Sequence, residues 1–215
     1  MSNKVIAIDG PGGSGKSTVA KLLAKKLSFD YLDTGAMYRA VTWLALKKKI
    51  DVNDSHTLSG LASRIDISFS ENRVYVNKED VTEQIRKPEI DKNVSYVARI
   101  KGVREAMVAL QRKIAEEGRI IVDGRDIGSR VLPDADIKVY LTASLEERAA
   151  RRFQDIKKEK VTLSDVKKEL KKRDMIDKNR KISPLVKADD ACYLDTTNMS
   201  IEQVIDKLLK LITGE

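Results

Sequence analysis

The first apolar run, Val5 to Ile8, has no polar interruption and stops at Asp9. A strand covered on both faces of a parallel sheet reads this way. A glycine-rich turn follows, and from about Lys16 to Leu27 the apolar positions fall at helical spacing. Phe29–Asp33 predicts a second short strand. Met37, Ala40, Val41, Leu44 and Ala45 then predict a helix, with Trp43 and its neighbours in its core. This alternation of strand and helix implies an α/β protein with a parallel sheet. Around Ile65–Asp80 the rhythm changes. Ile65, Ile67 and Phe69 alternate with polar residues, as do Val74 and Val76, which predicts an antiparallel hairpin with Glu71-Asn72 as its turn. Helical spacing returns in Val103–Glu117, where Gly118 supplies a C-terminal cap. Strands are expected at Arg119–Asp123, at Ile137–Leu141 and near Tyr193–Asp195. The last helix opens at Ser200, whose Ser-x-x-Gln pattern with Gln203 resembles a capping box.

The turn after the first strand carries the chemistry. Gly10-Pro11-Gly12-Gly13-Ser14-Gly15-Lys16-Ser17 fits G-x-x-x-x-G-K-[ST], between a strand and a helix as that motif requires. Glycines let successive backbone N–H groups turn inward around phosphate oxygens, and the helix behind them presents its positive end. Lys16 reaches the outer phosphates, the Ser17 hydroxyl suits Mg²⁺, and Thr18 completes the expected ATP-binding stretch.

A phosphate-binding loop is shared by kinases, GTPases and motor or nucleic-acid ATPases. Asn77-Lys78-Glu79-Asp80 has the letters of a guanine-reading Asn-Lys-x-Asp, but it follows a hairpin strand instead of a core strand. It is expected to be a polar turn. Two arginines favour a kinase with a small acceptor. Arg39 lies one helical turn past Asp33-Thr34-Gly35, and Arg125 lies two residues past Asp123 at a strand end. Ligands of open α/β sheets sit beyond the carboxyl ends of the strands. Phosphoryl transfer needs alignment and charge neutralisation, for which the planar guanidinium is suited.

Composition narrows the partners. Of 215 residues 41% are hydrophobic and 34% charged, and no apolar run approaches a membrane span. The first residues are too short in apolar character for a signal peptide. Cys192 is the only cysteine and His56 the only histidine, expected to be a small core residue and a loop residue. A single cysteine excludes an internal disulfide and fits a cytoplasmic protein. Any metal site must use oxygen ligands. The net charge of +8 concentrates in Leu145–Lys187, with fifteen Lys/Arg against eight Asp/Glu. Arg148 and Arg152 share a helix face there, as do Arg173, Asp177 and Arg180. Beside a phosphate loop, this segment reads as a lid closing over ATP. A nucleic-acid-binding ATPase is the rival reading. Single-strand binding interleaves stacking rings with charge, whereas Phe153 is the segment's sole aromatic. No coiled-coil heptad is evident, so a monomer is expected, with no nucleic-acid or membrane partner.

Taken in order, the strings along the chain resemble the bacterial cytidylate (CMP) kinases. They are Ile8-Asp9-Gly10-Pro11, Asp33-Thr34-Gly35-Ala36-Met37-Tyr38-Arg39, Asp123-Gly124-Arg125-Asp126-Ile127-Gly128 and Leu132-Pro133-Asp134-Ala135. Arg173-Asp174 through Asp177 and Arg180 to Pro184-Leu185, then Ala188-Asp189-Asp190-Ala191 and Asp195-Thr196-Thr197, complete the set. The resemblance implies a P-loop nucleoside monophosphate kinase fold. Its parallel core would span residues 1–61, 96–144 and 188–215, with an acceptor-binding insert at about 62–95 and a lid at about 145–187. It implies transfer from ATP to CMP or dCMP with Mg²⁺, with a UMP or AMP kinase as the alternative. By resemblance Ser95, Arg104 and Asp126 face cytosine, and Thr34, Arg39, Arg125 and Arg180 hold the acceptor phosphate. Arg173 and Asp177 hold the ribose, while Arg148 and Arg152 close on the donor phosphates. Ser129-Arg130 and Met175-Ile176 depart from the family's usual residues without touching an assigned role.

Overall fold

The computed structural model describes residues 3–70, 73–155 and 161–214. Its chain divides into two compact units, Met1–Leu32 with Ala115–Glu215, and Asp33–Ile114.

The first unit is built on a five-stranded sheet. Its strands are β1 (Val5–Asp9), β2 (Asp30–Asp33), β6 (Ile120–Gly124), β7 (Ile137–Thr142) and β8 (Cys192–Asp195), in the order β2-β6-β1-β7-β8. β1 runs parallel to β6 and β7, and β7 parallel to β8. Burial on both faces explains the unbroken apolar run: Ile6, Ala7 and Ile8 are all fully buried. On one face Ile6, Ile8, Ile121, Val139 and Leu141 pack with α1 (Lys16–Leu27) and α8 (Ile201–Thr213). Both bonds of the capping box expected at Ser200 and Gln203 are made. α6 (Leu145–Asp155) and α7 (Leu163–Asn179) share a small core of Ala149, Val166 and Leu170.

The second unit holds α2 (Thr34–Lys47), α3 (Ser55–Ala62), α4 (Pro88–Ala98) and most of α5 (Lys101–Ala115). Its small antiparallel sheet is β3 (Ile67–Ser70), β4 (Arg73–Val76) and β5 (Glu79–Asp80). The expected turn at Glu71-Asn72 lies outside the described residues. Ile65 precedes the first strand. Asn77 and Lys78, both at positive φ, form the two-residue turn into β5, so the Asn-Lys-x-Asp letters belong to a hairpin turn.

Three expectations are corrected. Cys192 is exposed, because β8 is an edge strand and the residue faces solvent. His56 lies in helix α3, which the Asp54 carboxylate caps by accepting from the Thr57 N–H. Trp43 is only half-buried, and the Lys47 ammonium sits over its ring at 4.6 Å. Helix α4 begins within the stretch read as insert, opened by Pro88 at its first position with Glu89 and Asp91 in its first turn.

Candidate functional site

β1 delivers the chain into the phosphate loop against β7. Gly10 takes φ 149°, and a Cβ there would collide with the Leu141 carbonyl, so no other residue fits. α1 begins behind Gly15, which has no side chain to cap it, leaving its first N–H groups for an anion. Lys16 is buried and folds back over the loop. Its ammonium donates to the Pro11 carbonyl at 2.7 Å and to Ser14 Oγ at 3.3 Å. Burial, with the Arg125 and Arg173 charges beside it, pushes this ammonium well below the usual lysine range, while Asp123 and Asp9 oppose the shift. The open N–H groups of the loop and the cationic side chains around it suit a polyphosphate.

Sequence reasoning missed Asp123. Its carboxylate, one residue before the end of β6, accepts from Ser17 Oγ at 2.8 Å and from Tyr31 Oη at 2.9 Å. A carboxylate closing an apolar core strand beside a phosphate loop was the available signal. Among the described residues no group of three or more His, Cys, Asp or Glu could hold a metal. The Ser17 hydroxyl and the Asp123 carboxylate are oxygen donors, and such a sparse set fits Mg²⁺, which keeps waters and takes phosphate oxygens.

Basic residues on α6 and α7, with Arg125 just past β6, surround the loop. Arg148 Nη1 donates to Asp174 at 2.6 Å and to the Gly12 carbonyl at 2.9 Å, and Asp174 accepts from the Gly12 N–H at 3.2 Å. The N–H and the C=O of Gly12 are therefore both held. Arg151, which the i, i+4 pairing of Arg148 with Arg152 passed over, donates to the Thr196 carbonyl at 2.7 Å and reaches the Ser14 carbonyl at 3.4 Å. Arg152 is half-buried on α6. Arg125 pairs with Asp177 at 3.1 Å, and Arg173 lies close enough to Gly12 that a Cβ there would approach its Cδ to 3.9 Å. Asp126 pairs with Arg180 at 3.1 Å, both deeply buried, and Arg180 Nε donates to the Ser183 carbonyl. The first unit thus gathers Lys16, Arg125, Asp126, Arg148, Arg173, Asp177 and Arg180.

Thr34, Arg39, Ser95 and Arg104 belong to the second unit. Asp33 caps α2 by accepting from the Ala36 N–H at 2.8 Å, and its other oxygen holds Arg39 at 2.8 Å. Gly35 leaves room for that guanidinium: a Cβ there would lie 3.1 Å from Arg39 Nη1. Thr34 is buried at the first position of α2, and Ser95 is buried on α4. Arg104 is buried on α5, donates to the Ala98 carbonyl at 3.4 Å and lies 5.4 Å from the Tyr38 ring centre. No helix among the described residues is long and apolar enough to cross a membrane.

The cytidylate kinase family model matches residues 6–214. The cytidylate kinase of Clostridioides difficile is 50% identical over 214 residues, 99% of each chain. That of Bacillus licheniformis is 49% identical, covering 96% of this chain and 95% of its own. Among solved structures, the shikimate kinase of Acinetobacter baumannii superposes with a TM-score of 0.51 at 16% identity, over 98% of this chain and 93% of its own, which shows a shared fold. A match along nearly the whole chain, at about half identity, places the chain in the cytidylate kinase family.

Proposed function

We propose that the protein transfers the γ-phosphoryl group of ATP to CMP and dCMP, giving ADP and the cytidine diphosphates. The observation that carries this reading is the buried Lys16 ammonium, set in the phosphate loop beside Arg125 and Arg173. Such a site presents donors and cationic side chains to a polyphosphate. Family membership selects the acceptor.

The loop amides and Lys16 hold the β- and γ-phosphates of ATP. Ser17, with Asp123 behind it, would hold Mg²⁺, which when bound neutralises the donor phosphates and orients them. Arg148 and Arg152 approach the donor phosphates and shield them from water. Arg125 and Arg180 of the first unit bind the acceptor phosphate, and Arg173 and Asp177 bind the ribose. Asp126 reads cytosine by accepting from the exocyclic amine; within the second unit, Thr34 and Arg39 suit a phosphate, and Ser95 and Arg104 suit a base edge. In-line transfer then needs alignment and charge neutralisation alone.

A coupled ADP-release assay with ATP and each common nucleoside monophosphate tests the reading. CMP and dCMP are expected to give the highest kcat/KM. A higher value for UMP or AMP would replace the assigned acceptor.

A further inference from the structure

Asp9 closes β1 immediately before the phosphate loop, and the reaction as read above gives it no part. Its carboxylate is buried, 5% exposed, and accepts from two backbone N–H groups, Ile127 and Gly128, each at 2.8 Å. These are the first residues of a π-type turn, Ile127–Val131, that follows Arg125 and Asp126. The turn has no cap of its own. Asp126, at the capping position, makes no capping bond, and its carboxylate is turned to Arg180. Two buried N–H groups without an acceptor would each carry a desolvation penalty. Asp9 removes both from the neighbouring strand. Fixing these N–H groups fixes the two peptide planes directly after Asp126, and with them the direction of the Asp126 side chain.

We propose that Asp9 is a positioning residue for acceptor recognition, its ionised carboxylate holding the Ile127–Gly128 backbone so that Asp126 and Arg125 face the nucleoside monophosphate. The inference rests on the reading of Asp126 and Arg125 as acceptor-binding residues.

The charge of Asp9 adds a pH signature. Burial raises its pKa from 3.8 to about 6, against the two N–H bonds that lower it. Asp126, from the turn, raises it further and Lys16, from α1, opposes; Tyr140 of β7 stands opposite it in the sheet. Above about pH 6 both oxygens accept. As pH falls through 6, one oxygen takes a proton and its N–H loses its acceptor. The stability effect of the same protonation has the opposite sign. The folded pKa lies above the unfolded one, so the native state binds the proton more readily, and this group's contribution to stability increases as pH falls from 6 toward 4. Loss of acceptor recognition in that window is therefore not unfolding caused by Asp9.

The experiment compares wild type with Asp9→Asn, which keeps the size but offers one acceptor oxygen. KM for CMP should rise by about tenfold, the scale of a lost charge-assisted bond, while KM for ATP changes less than about twofold. The wild-type to variant ratio of kcat/KM for CMP cancels the titration of the substrate's own phosphate. It should be largest near pH 8 and fall toward one below pH 6. A ratio independent of pH, or a rise in KM for ATP equal to that for CMP, overturns the proposal. Hydrogen exchange of the Ile127 and Gly128 amides in the wild type needs neither the variant's folding nor a substrate. Protection, corrected for intrinsic rates, should fall between pH 8 and pH 5, and unchanged protection also overturns the proposal. Wild type that phosphorylates no CMP while the amide protection shifts would remove the proposed function and leave the Asp9 anchor in place.

Discussion

Removing the Asp174 carboxylate probes how the phosphate loop is braced. In Asp174→Ala the Arg148 guanidinium loses its 2.6 Å partner and the Gly12 N–H loses its 3.2 Å acceptor. Both side chains of the pair are largely buried, 9% exposed for Arg148 and 13% for Asp174, so water cannot replace the carboxylate freely. Breaking a buried ion pair from one side costs about 3–5 kcal/mol. That is a large part of the roughly 5–15 kcal/mol by which domains are stable. At about 2–4 °C per kcal/mol for a chain of this length, the midpoint should fall by roughly 6–20 °C. Arg148→Met combined with Asp174→Leu removes both charges and should recover most of the loss. Thermal unfolding followed by circular dichroism, on Arg148→Met, Asp174→Leu and the double, gives the coupling energy directly. Turnover should stay low in all three, because the donor side loses Arg148 or its brace. Singles within about 1 kcal/mol of wild type, or a double equal to the sum of the singles, would refute the bracing role.

Three further outcomes are expected. Lys16→Met should lose most ADP release yet unfold at no lower temperature, since a buried ammonium beside Arg125 and Arg173 is costly to the fold; full turnover in the folded variant would remove the loop from the mechanism. Asp126→Asn should lower kcat/KM for CMP far more than for UMP, which lacks the amine, by about one to two powers of ten in their ratio. Equal losses would make Asp126 solely the structural partner of Arg180. Lys78→Gly should raise stability by about 1 kcal/mol in denaturant titration, because Lys78 holds φ 69° in a turn that favours glycine; a loss would show that its side chain matters more than its backbone.

Much of the molecule was legible because its signals are local. The Val5–Asp9 strand, the loop, the Lys16–Leu27 helix and the Ser200 cap each depend on residues a few positions apart, and the structure places them where the pattern did. Helix α4 was equally local, with Ile90, Val94 and Val97 at helical spacing, yet the alternating hairpin before it drew the whole stretch into one insert. Exposure was harder to read. Cys192 and Trp43 look apolar in any window, and only the edge position of β8 and the partial covering of α2 leave them in contact with solvent.

The site divides the same way. Sequence alone determined that a phosphate loop exists and which arginines lie near strand ends, since spacing encodes both. It could not pair them. Arg148 meets Asp174 across 26 positions, Arg125 meets Asp177 across 52, and Asp126 meets Arg180 across 54. Asp9 reaches the Ile127 N–H across 118 positions. A carboxylate in the sequence carries no mark of which cation or N–H it will face. That choice is made when β1 and β6 are laid side by side and α7 is brought against the loop, because only then does burial make an unmatched charge or amide too costly to leave.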